Sequence, residues 1–414
     1  MSAMEQRCGR ILAVLLQGTN ILTLMLVLAP VFSVYQVASA QTFRLLYQFK
    51  SGRGGSSPYS SLILDPQGNL YGTTMIDGAY SYGTVFKISP QGKETVLHSF
   101  TGTGGDGANP VAPLIKDAAG NLYGTTEYGG LFGYACGPNG CGTVFKIDPA
   151  GKETVLYRFT GVNGDGMNPE QGLVRDAAGN LYGTTFQGGT NSYGSTYGTV
   201  FELDSAGKET VLYSFDPFTF FGDGGFPLGG SLVRDSAGNL YGTTLIGGIE
   251  GGGSGTVFRL APNGVETLLH VFDSAGDGAF PYGSLVRDAA GNIFGVTMQG
   301  GVYGPGVVFK LDANSNETII HSFGGSGDGG SPGGGLVRDR AGNLYGTTQY
   351  GASSYFGTVF KLDASGTETI LHTFSGKDGN GPAWCAVRDP KGNLYGATQY
   401  GGAYGGGVVY KVTP

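Results

Sequence analysis

Glycine (80) and proline (18) make up nearly a quarter of the 414 residues, yet 40% of the chain is hydrophobic and 12% aromatic, too much for a segment that buries no core. Each interior glycine costs a helix roughly 1 kcal/mol relative to alanine, which disfavours helical bundles, coiled coils and doubly wound α/β folds. The net charge of −7, without any basic run, argues against nucleic acid and anionic membrane surfaces as partners.

The first forty residues read as an address. Arg7 and Arg10 precede an apolar stretch from Ile11 to Phe32, and the segment ends in Ala38-Ser39-Ala40, a small-x-small processing signature. The expectation is a secretory signal over residues 1–40, with an uncleaved membrane anchor as the alternative. The mature chain, from residue 41, is then secreted, periplasmic or extracellular, with no further membrane insertion.

Beyond that point self-similarity dominates. Close variants of GNLYGTT begin at Gly68, Gly120, Gly179, Gly238, Gly291, Gly342 and Gly392. Each is followed by GTVF, GVVF or GVVY, starting at Gly83, Gly142, Gly198, Gly255, Gly306, Gly357 and Gly407. A third string of the ETVLYSF type begins at Glu94, Glu153, Glu209, Glu266, Glu317 and Glu368, one copy short. Each unit reads as two hairpins of short strands rich in Val, Leu, Tyr, Phe and Thr, closed by glycine-containing turns. The repeats lie near 60–100, 112–159, 172–215, 231–272, 283–323, 335–374 and 384–412. Thr42 to Phe49 matches the missing third string. Seven four-stranded units whose last strand comes from the start of the chain predict an all-β fold, a seven-bladed β-propeller over 41–414 closed by its N-terminal strand.

The pattern GNLYGTT, GTVFKLD, GDG and GLVRD resembles the GloVer-type tandem-repeat proteins, exported bacterial proteins named for their choice of C-terminal anchor. That resemblance implies export and a propeller-like array. It implies no activity and no catalytic residues. The chain stops at Pro414 without a sorting motif or hydrophobic tail, so release rather than anchoring is expected.

Cys136 and Cys141 bracket a Gly-Pro-Asn-Gly turn and are expected to form a local disulfide; Cys385 is expected to be a small buried apolar residue. The four histidines, His98, His270, His321 and His372, share one column with Tyr47, Tyr157 and Tyr213, as packing sites do. A histidine-based triad is therefore not expected. Asp65 and its six equivalents start turns, and a Lys or Arg precedes six of them, read as structural charge pairs. The Asp-Gly loops at Asp106, Asp165, Asp223, Asp277, Asp328 and Asp378 read as turns, with calcium the alternative. No cofactor and no metal are assigned.

Function is sought where the repeat breaks, on the face carrying the long loops. Glu127, Glu170, Glu250, Asp77 and Trp384 have no counterparts in other units. The loop aromatics Tyr128, Tyr134, Tyr197, Tyr303, Tyr350 and Tyr400, with Glu127, are the candidate ligand contacts. An insertion adds Phe218, Phe220 and Phe221, which either pack locally or form a contact patch. The leading expectation is a non-catalytic binding or scaffold propeller for a glycan or an envelope protein. The alternative is a carboxylate-based enzyme acting on polysaccharide, with Glu127 and Glu170 as the pair.

Overall fold

The computed structural model describes residues 41–414 except 134, 191–196, 217–221, 229, 249–252, 274–275, 326, 352–354 and 383. The described residues are strands, turns and loops, with no helix long and apolar enough to cross a membrane. Among the described residues, seven antiparallel sheets of four or five strands form the blades of a β-propeller, and two further two-stranded ladders pair Gly107–Ala108 with Tyr128–Gly129 and Gly166–Met167 with Gln187–Gly188. Blade one shows the plan. An interrupted inner strand, Ser56–Pro58 and Ile63–Leu64, pairs with Leu70–Ile76, which pairs with Thr84–Ile88, which pairs with the outer strand Glu94–Ser99.

Side-chain chemistry explains why each string folds this way. In the first turn Asp65 Oδ1 accepts the amides of Gln67 and Asn69, while its Oδ2 accepts from the Asn69 amide group and the Tyr71 hydroxyl. Burial opposes ionisation of Asp65, but these bonds outweigh it and hold the carboxyl below its ordinary range. The basic residue before six of these seven aspartates belongs to the seam with the preceding blade. Lys116 lies 3.5 Å from Asp65 and over the Tyr71 ring, and Arg388 lies 3.8 Å from Asp339 and over Tyr345.

The two threonines of GNLYGTT divide their work. The second bonds within the blade to the threonine of GTVF, as in Thr126 with Thr143 at 2.9 Å. The first reaches the inner strand of the next blade, as in Thr125 Oγ1 to Gln171 O at 3.1 Å and Thr347 Oγ1 to Trp384 O at 3.3 Å.

The core sits between blades. The phenylalanine ending each outer strand meets the third-strand aromatic of the next blade edge to face: Phe49 on Phe86, Phe100 on Phe145, and so around to Phe374 on Tyr410. The seven centroid distances run from 5.0 to 5.2 Å, and every ring is almost fully buried. Such pairs are worth about 0.5–1.5 kcal/mol beyond the area they bury.

Blade seven is completed by Thr42–Gln48, which pairs antiparallel with Val408–Thr413. The register breaks between Leu45 and Tyr47, at the position where the other six outer strands carry their own irregularity. The first strand therefore reproduces the local geometry of the element it replaces. Phe43 stands where the other blades have glutamate, and it stacks on His372 at 3.7 Å.

Candidate functional site

A proline in each inner strand sets the axis of the disc. The residue before it has positive φ in all seven blades: Ser57, Asn109, Asn168, Phe226, Phe280, Ser331 and Gly381, between 50° and 61°. For the six that are not glycine this backbone is uncommon and costs of order 1–3 kcal/mol, retained in six of the seven blades. It turns the following residues towards the axis. Tyr59, Val111, Glu170, Leu228 and Tyr282 follow their prolines directly, and Gln171 and Trp384 stand one place further.

Two adjoining cavities occupy this mouth, of about 270 and 240 Å³, sharing Tyr59, Tyr282, Trp384 and Gln399 as a common wall. Small-molecule sites usually begin near 300 Å³, so the joined run rather than either part has the size of a site. Trp384 is the hub, 5.7 Å from the Tyr282 ring and 6.5 Å from that of Tyr59. The first cavity adds Gln349, Tyr350, Tyr355, Asn380 and Tyr400. The second adds Glu127, Glu170 and Gln171.

The acidic end is built by one hinge between blades two and three. Asn168 donates from Nδ2 to Glu127 O at 3.1 Å, and two residues later the chain delivers Glu170 beside Glu127. Burial first, then the Glu127 charge, push the Glu170 carboxyl up to about 8. Burial also raises Glu127, offset in part by a bond from the Tyr128 hydroxyl. The Tyr128 hydroxyl is itself pushed up by that bond, by burial and by the two carboxyl groups. Gln171 is only 2% exposed, and neither of its side-chain polar atoms has a hydrogen-bond partner.

The outer rim carries a second group of titratable residues. His98, Asp106 and Glu153, His270, Asp277 and Glu317, and His321, Asp328 and Glu368 each gather ligand atoms within 4.8 Å across a blade seam. Tyrosine serves the same seam elsewhere: Tyr157 donates to Asp165 at 3.1 Å, and Tyr47 donates to Glu94 at 2.6 Å. The histidines also pack edge-on against the core phenylalanines, as His321 does on Phe323 at 4.8 Å. A place filled equally by histidine and tyrosine serves the seam.

Burial, followed by neighbouring carboxylates, pushes Glu153, Glu266 and Glu317 up to about 7 and Glu368 up to about 8. A carboxyl raised in the fold stabilises it fully below its unfolded value near 4.3 and loses that contribution as pH rises through 7–8. The turn aspartates act in the opposite sense and lose theirs as pH falls below about 3.8. Thermal stability is therefore expected to peak near pH 5 and fall by a few degrees by pH 9. Glu368→Gln should flatten that fall. Calorimetry across this range checks it, and a midpoint still climbing from pH 5 to 8 counts against the seam assignment.

The expected contact residues part company in three dimensions. Glu127, Tyr350 and Tyr400 line the axial mouth, Tyr128 supports Glu127, and Glu170 and Trp384 join them. Tyr197 instead packs on Phe226 at 5.3 Å, and Tyr303 stands 62% exposed over the Gly324 turn. Asp77 accepts a hydrogen bond from Ser56. Cys136 and Cys141 form a disulfide, and among the described residues Cys385 is the free thiol. Tyr134, Glu250, Phe218, Phe220, Phe221 and the 1–40 segment lie outside the described residues. Sequence reading passed over Tyr59, Tyr282, Gln349, Gln399 and Gln171. The signal lay in two columns, the residues after each inner-strand proline and the residue after each GNLYGTT.

Among solved structures, the extracellular domain of a putative one-component system from B. thetaiotaomicron is similar to 89% of the chain at 12% identity, with a TM-score of 0.53. The chain spans 39% of that molecule's length, and the likeness concerns the fold. A gluconolactonase from Xanthomonas campestris gives 13% identity over 90% of both chains, with a TM-score of 0.44. No curated protein matches the sequence. The model of the Gloeobacter/Verrucomicrobia repeat matches residues 33–195, 133–339 and 285–414. Its three overlapping matches run across all seven blades, and the chain belongs to the Gloeobacter/Verrucomicrobia repeat family.

Proposed function

We propose that the chain is an exported glycan-binding propeller whose ligand enters the axial mouth on the long-loop face. The observation that carries this reading is the cluster of Trp384, Tyr59 and Tyr282, continuous with Tyr350, Tyr400 and the amides of Gln349 and Gln399. Aromatic faces take the apolar C–H faces of a pyranose ring, and side-chain amides bond its hydroxyls. Export is supported by the signal-like N-terminus and by the Cys136–Cys141 disulfide, a bond that persists in oxidising compartments.

A glycan array followed by calorimetry tests the proposal. Tyr400 is 47% exposed and can be truncated without opening the core. Tyr400→Ala should weaken binding about tenfold, or ~1.4 kcal/mol, at unchanged melting temperature. Absence of glycan binding at high micromolar concentration would overturn the reading.

A second reading has its own support. Glu127 and Glu170 share one cavity with Glu170 raised to about 8, so near neutral pH one carboxyl keeps its proton while its partner ionises more readily. That division is what acid-and-carboxylate cleavage of glycosides requires. Release of reducing ends from a bound polysaccharide, abolished in Glu170→Gln, would favour the enzyme over the binding module.

A further inference from the structure

The axial mouth is uneven in charge. Among the described residues neither cavity is lined by lysine, arginine or histidine. Its acidic end holds two carboxyl groups on adjacent blades, where blades five to seven supply Tyr282, Trp384 and neutral amides. The Gln171 side chain borders the same cavity, buried and with both its oxygen and its nitrogen unpartnered. A buried amide left with unmade bonds is costly, and a ligand group bonding to it recovers that loss.

From this arrangement we infer that the site takes a cationic sugar, with the ammonium group of a free amino sugar held between Glu127 and Glu170 and a neighbouring hydroxyl bonded to Gln171. The inference rests on the glycan reading above and specifies its ligand class. The Glu127 charge that helps raise the Glu170 carboxyl is opposed by a bound cation, so an ammonium ion there favours release of the Glu170 proton, and the ring faces attract the same cation without the coordination demands of a metal. Two carboxyls and one amide oxygen supply fewer than the six to eight oxygens that calcium takes, so a calcium ion there would depend on water for the rest of its shell. A metal would also leave the Trp384, Tyr59 and Tyr282 wall without a purpose. An N-acetylated sugar loses the positive charge and adds a bulky group at the same atom, so acetylation should be read as a defect.

Titration calorimetry with equal-length oligomers of glucosamine, N-acetylglucosamine and glucose, at a pH where the amine is protonated, tests this on the intact chain. The glucosamine oligomer is expected to bind at least tenfold more tightly than the other two. That advantage should disappear when the pH is raised until the amine is neutral, since the charge contact is then lost. It should vanish in Glu127→Gln with Glu170→Gln. The pH series on the unaltered protein gives the same answer should the double variant fail to fold. Equal binding of all three oligomers overturns the ammonium assignment and leaves the glycan reading standing. A preference that survives either neutralisation of the amine or the double substitution also overturns it, because the contact of ammonium with carboxylate would not be its source. Failure of all three to bind removes both readings together.

Discussion

Removal of Thr42–Phe49 is expected to abolish cooperative folding of the whole disc. The segment contributes the six register pairs with Val408–Thr413, the Phe43 stack on His372 and the Phe49 ring on Phe86. Phe49 is fully buried, and loss of a single such phenylalanine side chain costs about 3–5 kcal/mol. A typical domain holds only about 5–15 kcal/mol in total. The truncation also exposes the edge of Val408–Thr413, an invitation to pairing between molecules. Circular dichroism and calorimetry should show a broadened, lowered transition and aggregation, reversed in part by adding the eight-residue peptide. A truncated chain that melts as sharply and as high as the parent would dispose of the closure model.

Gly142→Ala is the second substitution expected to have a large effect. Gly142 has φ 92°, and a Cβ there would lie 2.4 Å from Thr126 O and 2.6 Å from Pro169 Cδ. The other six blades carry glycine at the same place, each pressed against a threonine carbonyl and the proline of its neighbour. Strain and overpacking together should cost about 2–4 kcal/mol. The displaced Pro169 carries Glu170 with it, so the axial site should weaken as well. Gly151→Ala is the comparison: it also has positive φ, 87°, but its Cβ would stand 3.0 Å from Leu97 O in a half-buried turn at the opposite end of strand Thr143–Ile147 from Gly142. It should cost less and leave binding intact. Unfolding in denaturant with binding measured on both variants checks this. A Gly142→Ala protein within 0.5 kcal/mol of the parent would contradict the assigned role of that contact.

The architecture was legible because its determinants are local and repeated. A D-x-x-G turn is specified by one aspartate and a glycine, and the missing third string by the Thr42–Phe49 match, so blade number and closure both followed from counting. The axial mouth was less legible, because it is assembled from single residues about fifty positions apart. Glu127, Glu170 and Trp384 stood out as departures from the repeat. Tyr59 and Tyr282 did not, since a tyrosine in this sequence is unremarked and only the left-handed residue before each proline aims it inward. Trp384 occupies a position held by Ser60, Ala112, Gly283 and Gly334 elsewhere, and packing of backbones about the axis explains that preference for small residues. The Asp-Gly loops read from the sequence as turns, with calcium the alternative. Asp106, Asp277 and Asp328 also reach the next blade's glutamate at the seam, a contact that spacing within one repeat does not reveal.

The pairing of Thr42–Gln48 with Val408–Thr413 also bears on the order of assembly. Joining two segments more than 350 residues apart in an otherwise loose chain carries a large loop-closure entropy, though one that grows only as the logarithm of length. Once seven sheets have stacked through their aromatic seams, curvature has already brought those segments together, and the remaining cost is that of ordering one strand. Closure is thus unfavourable as an opening event and inexpensive as a final one. The slowest contact by sequence separation becomes a latch that engages after the ring has taken shape, and until it engages the last blade presents an open edge.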